Sequence, residues 1–189
     1  MALAGEFENR SILRSVIEVP GNSVSLMELE IENAPEYFML VDYDRSHLSR
    51  FGDNTSAKYP TIQSVYESIA YPDLDDLDQL NKIRYGIFEE GIMVGSINIQ
   101  TISDDVAEIG YFVGGQYIKK GYASRALALL TDHAFLNFEY SEIEAHVAIG
   151  NDPSRMTVEK CGYELKAIQK MYDPSGQLRD YWILSKFSC

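Results

Sequence analysis

EIGYFVGGQYIKKGYASRAL, residues 108–127, is the stretch where one structural grammar gives way to another. Its first residues alternate apolar and polar, and with the two before them (VAEIGYFV, Val106 to Val113) they read as a strand. A loop rich in glycine and lysine follows. From Gly121 to about Glu139, the residues Ala123, Leu127, Leu130, Ala134 and Phe138 recur every three or four positions, the spacing of one apolar helix stripe. A strand that runs into a helix through such a loop leaves several N–H groups free at the positive end of the helix dipole. That arrangement attracts an anion. Gly121 has no Cβ to keep a phosphate away, Ala123 keeps the approach open, and Lys119 and Lys120 add positive charge. Taken alone, the loop reads equally well as an ordinary helix start.

Upstream, RYGIFE (84–89) and IMVGSINIQ (92–100) read as strands joined at Glu89 to Gly91, where glycine supplies the positive φ of a tight hairpin. With Val106 to Val113, reached after a break at Ser103 to Asp105, they form an antiparallel meander. Downstream, EIEAHVAI (Glu142 to Ile149) follows a helical crossover and should run parallel to Val106 to Val113. Asp152 to Cys161 reads as a short helix ended by Gly162, and ELKAIQKMY and LRDYWILSK as two strands joined at Asp173-Pro174-Ser175-Gly176.

The N-terminal part is helical after one strand. Val24 to Leu29 is that strand, and Asn33 is expected to cap a helix with Pro35 in its first turn, apolar at Phe38, Val41 and Leu48 and ending near Gly52. Thr61 is expected to cap a second helix through about Tyr71, stopped by Pro72. The acidic run Asp73 to Asn81 suits one or two more turns or a solvated face. We expect a single domain over 1–189, with its core at about 22–187 and an N-terminal extension over 1–21. The expected class is α/β (α+β), a mixed, mostly antiparallel sheet of about seven strands flanked by about four helices.

Composition narrows the function. Of 189 residues, 46% are hydrophobic and 12% aromatic, enough for a packed core. The net charge of −13 disfavours nucleic acid and anionic membranes as partners and favours a cationic ligand such as an amine, although acidity also simply confers solubility. Cys161 and Cys189 lack metal-ligand spacing and form no disulfide framework, and no apolar run is long enough to cross a bilayer. These features suit a cytoplasmic protein with reduced thiols. His47 and His133 are expected on helix surfaces and His146 on the strand Glu142 to Ile149, with no metal site among them.

The order of elements, the loop, and the later NDPSRMTVEKCGY together resemble the GNAT superfamily of N-acetyltransferases, and within it the ribosomal-protein N-terminal acetyltransferase (RimJ/RimL-like) branch. The resemblance runs from about Val24 to Lys186. It implies that the pattern Gln/Arg-x-x-Gly-x-Gly/Ala, which binds the coenzyme A pyrophosphate, falls on Ile118, Lys119, Lys120, Gly121, Tyr122 and Ala123. Gly121 and Ala123 match; Ile118 replaces the usual Gln or Arg, and many relatives have Gly where Lys119 lies. Asn151 is then the residue that hydrogen-bonds the cofactor beside a splayed strand pair, and it also suits a helix N-cap. Tyr111, Phe112 and Val113 belong to the cofactor-binding strand. Arg155 could reach a cofactor phosphate or stay in solvent.

The resemblance also implies the chemistry: a neutral amine attacks the thioester of acetyl-CoA, charge gathers on the carbonyl oxygen, and a thiolate leaves. Glu108 is the expected base. Backbone N–H groups near Phe112 and Val113, freed by a bulge, are the expected oxyanion donors. Ser154, three residues after Asn151, is expected to serve the leaving sulfur, because the Tyr that many relatives carry seven residues after the Asn is Val158 here. Glu108 as a surface carboxylate and Ser154 as a first-turn helix serine are the plainer alternatives. The expected acceptor is the N-terminus of a ribosomal or other protein, or a small amine of the polyamine or aminoglycoside type; a coenzyme A-binding module without turnover is the non-enzymatic alternative. Relatives are often homodimers.

Overall fold

The computed structural model describes residues 16–18, 21–51, 53–70, 82–173 and 175–188. β1 (Val24–Glu28) leads into α1 (Ala34–Tyr43), α2 (Arg45–Leu48), α3 (Thr55–Lys58) and α4 (Ile62–Ala70). β2 (Lys82–Glu89), β3 (Ile92–Ser103) and β4 (Val106–Val113) make the meander, and α5 (Tyr122–Asn137) crosses back over the sheet. β5 (Glu142–Ala148), α6 (Asp152–Lys160), β6 (Glu164–Tyr172) and β7 (Leu178–Phe187) complete the chain. One seven-stranded sheet results, ordered β1-β2-β3-β4-β5-β7-β6, so β7 inserts between β5 and β6.

The site is positioned by what happens between β4 and β5. They run parallel, as their helical crossover requires, but pair only from Val106 opposite Glu142 to Glu108 opposite Glu144. Beyond that point each follows its other neighbour: β4 stays registered with β3 up to Val113 opposite Gly95, and β5 with β7 up to Ala148 opposite Tyr181. The strands therefore part like a V, and Glu108 stands at its apex.

The helix stripe does what its spacing predicts. Leu127, Leu130 and Ala134 are fully buried against Leu26, Ile87, Ile97, Ile143 and Leu184, while Ala123 and Phe138 at the stripe's ends are half-buried. Each fully buried leucine contributes about 2 kcal/mol by leaving water. This packing fixes the start of α5 relative to the V.

The N-terminal half departs from expectation. Asn33 holds the N-cap position of α1 with Pro35 in the first turn, as expected, but its side chain makes no cap bond there; its Oδ1 accepts the Glu30 N–H at 2.9 Å and closes a single 3-10 turn, Ile31–Asn33. The helix then breaks at Asp44 (φ −140°, ψ 42°), because Arg45 turns to donate to the carbonyls of Ser56 (2.6 Å) and Tyr59 (3.0 Å), anchoring the unforeseen single turn α3. Thr61 behaves as expected, accepting the Ser64 N–H at 3.2 Å. The extension is tied to β1 by an Ile17–Leu26 bridge. Expectations at Gly52, Tyr71 to Asn81, Pro174, Cys189 and residues 1–15 fall outside the described residues.

The bulge expected at Phe112 and Val113 is not there: β4 keeps an even register with β3 over those residues, and the shift lies between Thr101 and Ser103. The splay from β5, rather than a bulge, is what frees amides of β4.

Candidate active site

The loop before α5 has the expected open form. Gly121 adopts φ +80° and Lys119 φ +63°, so the chain coils tightly before entering the helix. No side chain caps α5, which leaves the first-turn N–H groups of Tyr122, Ala123 and Ser124 without the usual partner. A Cβ built on Gly121 would meet only the Ser124 hydroxyl, at 3.8 Å, so the space before these amides is clear. Arg125 braces the loop from behind, donating to the carbonyls of Gly121 (3.4 Å) and Lys120 (3.3 Å) and to the Ser23 hydroxyl (2.6 Å). Ile118 is extended and 40% exposed, its side chain replaced in the usual role by nothing polar. Lys120 lies over the Tyr117 ring. These groups fit a diphosphate held by backbone.

In an antiparallel pair alternate residues bond across. Gly114 donates to the Val94 carbonyl at 3.0 Å, so with the even register Phe112 and Gly110 also turn their amides toward β3. Tyr111 and Val113 consequently point theirs into the V. Of the two expected oxyanion donors, Val113 is available and Phe112 is engaged in the ladder; the Phe112 ring packs edge-on against Tyr37.

Across the V, Asn151 caps α6, its Oδ1 accepting the Ser154 N–H at 3.3 Å. The Ser154 hydroxyl lies 3.1 Å from the Tyr111 hydroxyl, which reaches over from β4. Burial pushes the Tyr111 phenol up, with hydrogen bonds from Ser154 and Thr157 opposing, so Tyr111 keeps its proton at neutral pH. Arg155, instead of reaching toward the loop, lies over the Trp182 ring at 4.6 Å and pairs with Glu159 at 2.8 Å.

Glu108 meets a residue that the sequence left with only a vague role. His146 on β5 sets Nδ1 at 3.5 Å from Glu108 and Nε2 at 2.8 Å from Glu144. Burial alone would raise the Glu144 carboxyl, but hydrogen bonds from His146 and Lys166 outweigh it and hold it below the ordinary range. An ionised Glu144 fixes the imidazole's orientation and leaves its other nitrogen toward Glu108. His133, by contrast, is half-buried on α5, and its Nε2 has no partner among the described residues.

One cavity of about 920 Å³ joins these parts. It is lined at one end by Glu108, Tyr111, His146, Asn151 and Ser154, and at the other by Tyr37, Lys58, Tyr59, Lys82 and Arg84; the loop of residues 118–123 lies outside it. The far end comes from α1, α3, α4 and β2, brought together only by tertiary packing. Among the described residues no group of three or more His, Cys, Asp or Glu side chains could hold a metal, and no helix is long and apolar enough to cross a membrane.

An uncapped helix start beside a pair of parallel strands that part past Glu108 and line the cavity suits a ligand that carries a diphosphate. A family model described as acetyltransferase (GNAT) domain matches residues 24–164, and the chain belongs to that family: it is an acetyl-CoA-dependent N-acetyltransferase. It is 27% identical over 158 residues to YdaF of Bacillus subtilis, a protein named as a ribosomal N-acetyltransferase, covering 79% of this chain and 83% of that one. Its fold is similar to that of RimL, the ribosomal L7/L12 alpha-N-protein acetyltransferase, solved with coenzyme A (TM-score 0.80, 16% identity, 92% of this chain and 98% of that one). Mycobacterium smegmatis RimJ, solved with CoA-disulfide, is 25% identical with a TM-score of 0.76, covering 92% of this chain and 86% of that one.

Proposed function

We propose that the chain acetylates the α-amine at the N-terminus of a protein, by direct attack of that amine on the thioester of acetyl-CoA. The observation that carries this reading is that Glu108, with His146 against it, lines the cavity at the apex of the V. The names of YdaF and RimL point to the same acceptor class.

The chain's own groups divide the work. The amides of Tyr122, Ala123 and Ser124 hold the diphosphate, with Lys119 and Lys120 adding charge and Ile118 only bordering the loop. Asn151 and the Tyr111 to Val113 segment bracket the pantetheine chain in the V. Acetyl-CoA supplies an electrophilic carbonyl and a thiolate leaving group. Glu108 takes the ammonium proton, and His146, oriented by Glu144, stands beside it with Nδ1 at 3.5 Å. The Val113 N–H faces the oxygen on which charge develops. The Tyr111 hydroxyl, 3.1 Å from the Ser154 hydroxyl and 3.3 Å from the Ser154 carbonyl, holds the serine in place beside the departing sulfur, which the serine hydroxyl serves as a hydrogen-bond donor.

The polyamine or aminoglycoside reading draws on the net charge of −13, but Lys58, Lys82 and Arg84 line the cavity itself and repel a polycation. Thiol release from acetyl-CoA across N-terminal peptides, with mass spectrometry to locate the acetyl group, tests the proposal. Acetyl on the α-amine is the expected result. Modification of lysine side chains alone, or coenzyme A binding with no acceptor turned over, contradicts it, and the second outcome favours a binding module.

A further inference from the structure

Although the chain carries a net charge of −13, the acceptor end of its cavity is lined by three cations, Lys58, Lys82 and Arg84. Their surroundings do not neutralise them. Arg84 gives its hydrogen bonds to neutral oxygens, the Tyr59 hydroxyl (2.6 Å), the Ser68 hydroxyl (2.8 Å) and the Ser68 carbonyl (2.6 Å). Those bonds hold the guanidinium rigidly without cancelling its charge. Lys82 has no carboxylate within ion-pair distance among the described residues, whereas Lys166, Arg179 and Arg125 elsewhere do. Burial lowers the Lys82 pKa, with Glu108 the main group opposing. Two further carboxylates line the cavity: Asp53, which accepts the Thr55 N–H at 2.7 Å and forms no ion pair with the three cations among the described residues, and Glu28, which stands opposite Tyr85 on the other face of the sheet from Arg84.

Register fixes where these cations stand relative to the reaction. Lys82 on β2 is opposite Gln100 on β3, and Gln100 is opposite Glu108 on β4, so the three lie in one row on one face of the sheet. Two strand spacings separate the ends of that row, about 10 Å between backbones, and the long Lys82 side chain shortens the gap. Arg84, two residues along on the same face, opposes Asn98 and then Gly110. An ammonium drawn to Glu108 therefore has fixed positive charge a short distance along the sheet. A partly buried cation without a counter-charge costs free energy that an anionic ligand group relieves.

We infer that the acceptor carries a carboxylate or phosphate close to its reacting amine, and that Lys82, Arg84 and Lys58 bind that anion while Glu108 takes the amine's proton. This rests on the acetyltransferase reading above. The anion has two sources of equal chemistry, an acidic residue at the second position of a peptide or the acid group of a free amino acid. Either makes the acceptor dipolar along the Glu108 to Lys82 row.

The test compares kcat/KM by thiol release for two matched pairs, a Ser-Asp peptide against its Ser-Asn isostere and β-alanine against β-alaninamide, with spermidine as the polycationic control. The acid member of one pair should exceed its amide by about tenfold or more, and the pair that shows this names the source. Raising the salt should shrink the ratio. Lys82→Gln should bring the acid down to the level of the amide with the dissociation constant of coenzyme A unchanged; Arg84→Gln should do the same, but Arg84 also ties α4 to β2, so Lys82→Gln is the decisive variant. Equal acid and amide rates in both pairs, or spermidine as the best acceptor, overturn this inference while leaving an active acetyltransferase. Absence of coenzyme A binding, or of any acetylated amine, overturns the acetyltransferase reading with it.

Discussion

If coenzyme A binds as proposed, the cofactor end of the site is made of backbone and the acceptor end of side chains. At the start of α5 the work falls to amides that any residue could supply, provided Gly121 keeps its positive φ and no side chain caps the helix. At the other end, Tyr37, Tyr59, Arg84 and Lys82 come from three separate segments and act through their own functional groups. A backbone site tolerates sequence drift at its flanks, as Ile118 in place of Gln or Arg illustrates. A side-chain site can be remade by a few substitutions, which is how one fold serves many acceptors.

If the two ends are independent, substitutions should separate them. The largest effect is expected from Glu108→Gln, which should lower kcat by about 10²- to 10⁴-fold while calorimetry shows coenzyme A binding unaltered; loss of both together would show that the ends are coupled. Gly121→Val places a β-branched residue at positive φ and in front of the amides, and should weaken coenzyme A binding by about a hundredfold. A variant that still binds normally would remove the backbone account of the loop.

Smaller effects sharpen the middle of the V. Ser154→Ala should lower kcat by about tenfold, and Tyr111→Phe should add little in the Ser154→Ala background if the two hydroxyls act as one relay. Full additivity in that double-mutant cycle would make them separate groups. The smallest effect concerns Lys119, a non-glycine residue at φ +63°. Lys119→Gly removes that strain and should stabilise the fold by up to about 1 kcal/mol in chemical denaturation; destabilisation would mean that the lysine side chain contributes contacts which outweigh the strain.

The same contrast explains what could be read from the sequence. The strand-loop-helix unit at residues 108–127, the meander and the parallel return of β5 follow from local periodicity and turn residues, and each stands where its pattern put it. The cap that Asn151 places on α6, with Ser154 in its first turn, was legible because helix capping calls for residues at that local spacing. His146 as Glu108's neighbour was not legible, since it depends on two strands 38 residues apart diverging just past their last paired residues. Lys82 and Arg84 were hidden for the same reason: on β2 they look like solvent-facing cations until α1, α3 and α4 fold over them. The break at Asp44 was missed because Arg45's partners, Ser56 and Tyr59, lie more than a helix away in sequence.

The central claim is that coenzyme A is held by main-chain amides at the start of α5, and amide chemical shifts observed by NMR during a coenzyme A titration test it most directly. The signals of Tyr122, Ala123 and Ser124 should move furthest and saturate together, ahead of residues lining the acceptor cavity. Unmoved signals at those three positions, with binding registered elsewhere or not at all, would contradict it.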